Sequence, residues 1–214
     1  MNRSQPSAPF VAVEGIECSG KSTLCAALAE RLRAGGRSVL ATREPGGTPL
    51  GDAVRGILLD SSLRINALTE ALLVNAARAQ HVADAIRPAL LTGTTVLCDR
   101  YVDSTLAYQG YGRGVDLDVL RAMCDAATGG LTADVTIVVD VPVGVSRERL
   151  RARGGETDRL EREDDAFHER VRRGYLELAK GPGHCAIDGT QAAADVLARA
   201  LSALGVAATS SEVP

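Results

Sequence analysis

The chain has 214 residues, of which 45% are hydrophobic, so it is long enough for one globular domain with a substantial buried core. Its formal net charge of −3 argues against a general nucleic-acid-binding surface. No apolar run approaches the ~20 residues that a membrane span needs, and the start of the chain lacks the apolar segment of a secretion signal. We therefore expect a cytoplasmic protein whose partners include neither membrane nor nucleic acid.

Short β-rich runs alternate with helical stretches along the chain, between segments 1–9 and 206–214 that read as flexible tails. The pattern predicts a single domain over 10–205. Several predicted strands are almost wholly apolar, as expected where helices cover both faces of a sheet. This alternation predicts an α/β fold with a doubly wound parallel sheet, which binds ligands beyond the carboxyl ends of its strands. The predicted strands are 10–13, 38–42, 95–98, 135–141 and 184–187, and the predicted helices are 21–34, 49–59, 66–91, 104–108, 117–127, 143–153, 164–179 and 191–204.

Segment 15–22 reads Gly-Ile-Glu-Cys-Ser-Gly-Lys-Ser and matches the phosphate-binding P-loop pattern G-x-x-x-x-G-K-[ST]. It lies between a predicted strand and a predicted helix, so successive backbone N–H groups and the helix N-terminus can face a polyphosphate. Lys21 can reach the β- and γ-phosphoryl oxygens, and the hydroxyl of Ser22 can ligate Mg²⁺. The chain is therefore expected to bind a nucleoside triphosphate. The predicted contacts are Gly15, Cys18, Ser19, Gly20, Lys21, Ser22 and Thr23.

Two further polar clusters follow predicted strands, and both carry an arginine. Arg43 lies in Thr-Arg-Glu-Pro-Gly-Gly-Thr, which by itself is only a favourable turn but beside a phosphate site indicates an anion clamp. Asp99 ends an apolar strand, where an aspartate near a P-loop commonly holds Mg²⁺. Arg100 next to it could span a phosphoryl group with two parallel hydrogen bonds. The alternative for Asp99 and Arg100 is an ordinary ion pair at a strand end.

A dense run of arginines over 147–159 is interrupted by Gly154 and Gly155. Such a run can be a solvated helix face. It can also be a hinged lid, here placed near 150–163, that excludes water and brings cations to the developing phosphoryl charge.

Taken in chain order, these motifs resemble thymidylate kinase over about 10–204. The resemblance implies a five-stranded nucleoside-monophosphate-kinase fold and Mg²⁺-dependent transfer of the ATP γ-phosphoryl group to dTMP, giving dTDP and ADP. It also implies a homodimer, for which the helical stretch 67–91 is our candidate interface. The matching segments are the P-loop, 42–48, Ala-Arg-x-Gln at 77–80, Asp-Arg-Tyr at 99–101, 104–110 and Arg-Ala-Arg-Gly at 151–154.

The resemblance also implies a role for individual side chains on the acceptor side. Glu17 matches the carboxylate that reaches the sugar 3′-hydroxyl, and Arg43 with Arg100 matches the clamp on the acceptor phosphate. Asp99 matches the magnesium-linked acid, and Arg78 the arginine that reads the base. The same resemblance places Pro45, Ser104, Thr105, Tyr108 and Gln109 along the substrate pocket.

On the donor side, the loop around Gln191 resembles the one that holds adenine, and the lid is similar to that of bacterial members. Because the P-loop carries no arginine, the lid would supply the catalytic cations. Arg153 and Arg159 are the catalytic candidates there, and Arg149 is a candidate contact for ATP.

One position departs from the family pattern. Members usually place a phenylalanine that stacks on thymine four residues before the base-reading arginine, and here that residue is Val74. Base–aromatic stacking is worth ~1–3 kcal/mol. A kinase for dUMP or for a modified deoxypyrimidine monophosphate is therefore kept as an alternative, and a P-loop ATPase with 135–140 as its Walker B strand is a second one.

Overall fold

A single parallel sheet of five strands organises the part of the chain that the computed structural model describes, residues 9–206. The strand order is β2-β3-β1-β4-β5, and this confirms the predicted α/β class. Apart from residues 9 and 206, the expected tails lie outside the described residues. The strands are β1 (Phe10–Glu14), β2 (Val39–Arg43), β3 (Thr95–Asp99), β4 (Val135–Asp140) and β5 (His184–Asp188).

Helices connect the strands and cover both faces of the sheet. None of the helices within residues 9–206 is long and apolar enough to cross a lipid bilayer. The helices are α1 (Lys21–Ala34), α2 (Pro49–Leu59), α3 (Ala67–His81), α4 (Arg87–Leu91), α5 (Val102–Thr105), α6 (Leu117–Thr128), α7 (Val143–Arg153), α8 (Asp165–Leu178) and α9 (Ala193–Ala203).

Two predicted helices differ in detail from the structure. The helix predicted over 66–91 is divided into α3 and α4 by a π-helical segment, Val82–Ile86. The helix predicted over 104–108 begins earlier, as α5, and continues as a second π-helical segment, Leu106–Gly112. Periodicity at 3.6 residues does not distinguish these wider turns, which are frequent at functional sites.

The core lies on both sides of β1, whose five residues are all buried. On one face, Val11 and Val13 pack with Leu28 of α1 and Leu201 of α9. On the other face, Ala12 packs with Ile86 and with Tyr101. This burial on both faces explains why the first four residues of the strand are all apolar rather than alternating.

Strand register brings the polar clusters to one edge of the sheet. Val13 of β1 pairs with Asp99 of β3, and Arg43 of β2 pairs with the same aspartate. Because all three strands are parallel, the P-loop after β1 adjoins the ends of both neighbours. The fold thus places Lys21, Arg43 and Asp99 on a common rim.

Candidate active site

Two cavities meet at the P-loop. The first has a volume of about 350 Å³ and the second of about 620 Å³, and both are lined by Cys18, Lys21 and Ser22. The predicted acceptor-side residues line the first cavity: Glu17, Arg43, Pro45, Val74, Arg78, Asp99, Arg100, Ser104, Thr105, Tyr108 and Gln109. The predicted donor-side residues line the second: Cys18, Ser19, Gly20, Lys21, Ser22, Thr23, Arg149 and Gln191, together with Arg153.

The P-loop has the backbone that a phosphate cradle requires. Gly15 has φ +142°, and a Cβ there would lie 2.4 Å from the carbonyl oxygen of Val139, so only glycine fits. Cys18 also has a positive φ, of 52°, which is uncommon for a residue with a side chain. Gly15 therefore shapes the loop from behind, and residues 18–23 face the second cavity.

Lys21 is buried at the junction of the two cavities. Its ammonium donates to the carbonyl oxygen of Ile16 at 2.6 Å, which holds the side chain back along the loop. Burial, together with the nearby charge of Arg100, lowers the pKa of Lys21 to about 8. An anion placed beside this ammonium would relieve that repulsion, since an opposite charge favours the protonated form.

Ser22 and Asp99 form an oxygen pair next to this lysine. The Ser22 hydroxyl donates to Asp99 Oδ2 at 2.5 Å, although the two residues are 77 positions apart. A hydroxyl and a carboxylate are oxygen donors of the kind that Mg²⁺ binds beside phosphates. The residues present fit a magnesium ion at this point.

Arg100 is the centre of a buried polar cluster. Its φ of +74° is unusual for a non-glycine residue, and such strain clusters at functional sites. The guanidinium donates to Glu17 Oε1 at 3.1 Å, to the Tyr108 hydroxyl at 3.1 Å and to the Tyr175 hydroxyl at 2.9 Å. The Tyr108 hydroxyl in turn donates to Glu17. The cluster fixes the orientation of both the arginine and the carboxylate.

Glu17 is held in its ionised form. Burial by itself would raise its pKa, but His168, Arg100 and Lys21 together hold the pKa of Glu17 well below its usual range. His168 Nδ1 lies 3.3 Å from Glu17 Oε2, on the side opposite Arg100. Glu17 therefore presents a hydrogen-bond acceptor at neutral pH.

Arg55 is a functional candidate that the sequence analysis missed. It lines the first cavity and donates to the carbonyl oxygen of Pro45 at 3.2 Å. Burial and the charges of Arg43 and Arg100 lower its pKa, which is the pattern expected where cations gather to receive an anion. Arg43 itself is 58% exposed and makes an ion pair of 3.4 Å with Asp52. A basic residue on the second turn of α2 carries no motif that would have identified it.

Arg78 lies in the wall of the first cavity and is 1% exposed. Its Nε donates to Glu44 Oε2 at 2.7 Å and its Nη2 to the carbonyl oxygen of Tyr101 at 2.8 Å. Nη1 donates to Asn75 and Thr105. The hydrogen bonds among the described residues leave one N–H of Arg78 Nη2 without a partner, and this N–H can donate to a carbonyl group of a ligand.

A buried support lies behind Arg78 and was also missed. His81 Nδ1 is 3.0 Å from Glu44 Oε1, and its Nε2 is 2.7 Å from the Thr42 hydroxyl. The possible ligand atoms of Glu44, His81 and Cys98 lie within 4.8 Å of one another. Because Arg78 neutralises Glu44 and both ring nitrogens are already bonded, we interpret this cluster as a support for Arg78 rather than a metal site.

The lid arginines have three different environments. Arg149 donates to the carbonyl oxygens of Cys18, Ser19 and Gly189, beside the second cavity. Arg153 lines the same cavity and makes two parallel hydrogen bonds to Glu161, at 2.9 and 3.0 Å. Arg159 points elsewhere, to Glu70 and to the carbonyl oxygen of Leu58.

A P-loop, a strand-end aspartate beside the loop serine and two cavities joined at one lysine define a P-loop nucleoside monophosphate kinase. A family model described as thymidylate kinase matches residues 13–200. The chain therefore belongs to the thymidylate kinase family, and it is a phosphotransferase.

Individual relatives agree with this assignment. A thymidylate kinase of Thermomicrobium roseum is 57% identical over 171 residues, which cover 80% of this chain and 81% of the relative. One of Geobacter sulfurreducens is 47% identical over 203 residues, covering 88% and 95%. The crystal structure of thymidylate kinase from Ehrlichia chaffeensis superposes with a TM-score of 0.75 at 33% identity, covering 93% of this chain and 99% of that one.

Glu14, at the end of β1, supplies a test of the site's electrostatics. It is fully buried and accepts hydrogen bonds from the Tyr101 backbone, the Ser104 hydroxyl and the Tyr175 hydroxyl. Burial and the charge of Asp103 raise the pKa of Glu14 from 4.5 to about 7. The folded protein therefore binds this proton more tightly than the unfolded chain does.

We expect the free energy of unfolding, relative to that of a Glu14→Gln variant, to fall as the pH rises from about 4.5 to about 7. The expected loss is up to about 3 kcal/mol, and it is complete above pH 7. Urea unfolding followed by circular dichroism at each pH measures it, with Glu30→Gln on the exposed face of α1 as the control. A constant difference between the wild type and Glu14→Gln across this range would contradict the assignment.

Proposed function

We propose that this chain transfers the γ-phosphoryl group of ATP to dTMP, giving dTDP and ADP, in a Mg²⁺-dependent reaction. The observation that carries the proposal is the meeting of the two cavities at the Lys21 ammonium. A donor in the second cavity and an acceptor in the first would direct their phosphates at each other there. Phosphoryl transfer needs chiefly this alignment and the neutralisation of charge.

On the donor side, we assign phosphate binding to the backbone of the P-loop and to Lys21. Arg149 braces that loop through the carbonyl oxygens of Cys18 and Ser19 and also donates to Gly189, and Arg153 faces the same cavity. When bound, Mg²⁺ neutralises charge on the donor phosphates, and Ser22 with Asp99 would hold it. Gln191, bonded to Asp188, borders the end of the cavity that is left for adenine.

On the acceptor side, Arg43, Arg55 and Arg100 would hold the 5′-phosphate. Glu17 offers an ionised acceptor to the sugar 3′-hydroxyl, and the Tyr108 ring beside it would crowd a ribose 2′-hydroxyl. Arg78 would read a carbonyl of the base. Its buried ion pair with Glu44 fixes the plane in which its remaining N–H can donate.

The relatives favour dTMP over the alternatives drawn from the sequence. The three arginines that we assign to the acceptor phosphate, Arg43, Arg55 and Arg100, also argue against a simple ATPase, because an ATPase does not bind a second phosphate as acceptor. Val74 stands where family members usually place the phenylalanine that stacks on thymine, so it is the residue that departs from a dTMP site. It lines the first cavity beside Leu58.

A coupled ADP-release assay with a panel of acceptors tests the proposed reaction. We expect dTMP to give the highest kcat/KM, followed by dUMP, with dCMP and UMP far lower. ADP release should be negligible without an acceptor. Release that is the same with every monophosphate, or with none, would indicate an ATPase.

Replacing Val74 with phenylalanine tests where the base lies. If thymine lies against this position, Val74→Phe adds stacking worth ~1–3 kcal/mol, so the KM for dTMP should fall about tenfold. The KM for ATP is the internal control and should stay the same. An unchanged or increased KM for dTMP would mean that the base lies elsewhere in the cavity.

We also propose a cytoplasmic homodimer formed through α3. Leu68, Leu72 and Ala76 lie on one exposed face of this helix at four-residue spacing, and the two leucines are 50% and 54% exposed. The adjoining helices α2 and α6 expose Leu50 and Val119. Sedimentation equilibrium should give a dimer that Leu72→Glu converts to monomer, and a monomeric wild type would contradict the proposal.

A further inference from the structure

The loop between α7 and α8, residues 154–164, contains most of the predicted lid (150–163) and is attached to the base-binding end of the first cavity rather than to the P-loop. The backbone N–H of Arg159 donates to the carbonyl oxygen of Leu59 at 3.2 Å. Its side-chain Nε donates to the carbonyl oxygen of Leu58 at 2.8 Å. This arrangement places Asp158 and Leu160 in the lining of the first cavity.

Glu70, in the first turn of α3, accepts a second side-chain hydrogen bond from this arginine. Arg159 Nη2 lies 2.5 Å from Glu70 Oε2, and the two side chains are 11% and 1% exposed. Glu70 also accepts from Gln109 Nε2 at 2.6 Å, and Arg113 Nη2 lies 3.4 Å from it. A buried carboxylate requires such partners, so α3, the second π-helical segment and the lid meet at this one group.

The environment of Arg159 differs from that of the other lid arginines. Arg149 and Arg153 line the second cavity, whereas Arg159 is in the lining of neither cavity. All of its described hydrogen bonds go to α2 and to Glu70. Because the Arg159 guanidinium is bonded to these groups, it does not face the site that we propose for the phosphates.

We propose that Glu70 and Arg159 form a latch that holds the lid closed over the acceptor, so Arg159 is a positioning residue. This role replaces the catalytic one that the resemblance implies for Arg159, and it rests on the proposed function. Closing the latch encloses the first cavity. Glu70 at the same time orients Gln109, since its carboxylate can only accept and the amide must turn its Nε2 toward it.

The latch can also open, because Glu70 keeps a cationic partner, Arg113, when Arg159 moves away. Opening breaks the contact of Glu70 to Arg159, the hydrogen bonds of Arg159 to Leu58 and Leu59, and the 2.7 Å ion pair of Arg113 with Glu163, a lid residue. Arg113 is then released from the lid and stays beside Glu70. A buried charge with one remaining partner costs far less than an isolated one.

Kinetics of Arg159→Gln, Glu70→Gln and the double variant test the latch. We expect each single change to raise the KM for dTMP about tenfold, because each removes the ion pair of Glu70 with Arg159 from the closed state. The double variant should be no worse than either single one, kcat should change less than threefold, and the KM for ATP should not change. Arg162→Gln is the matched control, since Arg162 lies in the same lid, is exposed, and its side chain bonds only to Thr157 among the contacts described.

Hydrogen exchange of 154–164 in the nucleotide-free full chain provides a readout that does not depend on the acceptor. Arg159→Gln should speed exchange there and Arg162→Gln should not, even if the enzyme prefers another monophosphate. If Glu70→Gln fails to fold, as judged by its thermal melt, Arg159→Gln and Arg162→Gln still decide the outcome. A hundredfold loss of kcat in Arg159→Gln with an unchanged KM for dTMP, or unchanged exchange, would overturn the proposal.

Discussion

The site depends on keeping several cations at one edge of the sheet while no phosphate is present. Burial, together with the nearby charge of Arg100, lowers the pKa values of Lys21 and Arg55 there, so part of that lowering expresses repulsion between cations. Fixed acceptors make the arrangement tolerable: Glu17 and the Tyr108 and Tyr175 hydroxyls hold Arg100, and a backbone carbonyl holds Lys21. These groups are in place before substrate arrives, so little reorganisation remains for the reaction.

The acidic residues are as specialised as the basic ones. Glu17 stays ionised because cations and His168 face it, whereas Glu14, three residues earlier, gains a proton near neutrality because it is buried among neutral donors and near Asp103. Glu44 is bonded to Arg78 in the wall of the first cavity. The protonation state of each carboxylate is therefore set by its neighbours, although all three are glutamates.

Local patterns in the sequence were enough to predict the sheet, the P-loop and the pair of Ser22 and Asp99. Each of these depends on residues close in sequence, or on the rule that parallel strands end at one edge. The roles of Glu14, Glu70 and His81 were not predictable, because their partners lie far along the chain, and the role of Arg55 was not predictable because it belongs to no motif. Glu70 and Arg159, for example, are 89 positions apart. The π-helical segments were missed for a related reason, since one extra residue in a turn leaves the apolar pattern almost unchanged.

The position of the latch has a consequence for how the acceptor is recognised. Glu70 contacts both Gln109, in the wall of the first cavity, and Arg159, in the lid. A base that displaces Gln109 would therefore disturb the carboxylate on which the lid closes. Poor acceptors would leave the lid less firmly held, and water would then have access to the donor phosphate. Because Arg43, Arg55 and Arg100, the proposed phosphate clamp, line the same cavity, the proposal links alignment of the acceptor to exclusion of water through one buried side chain.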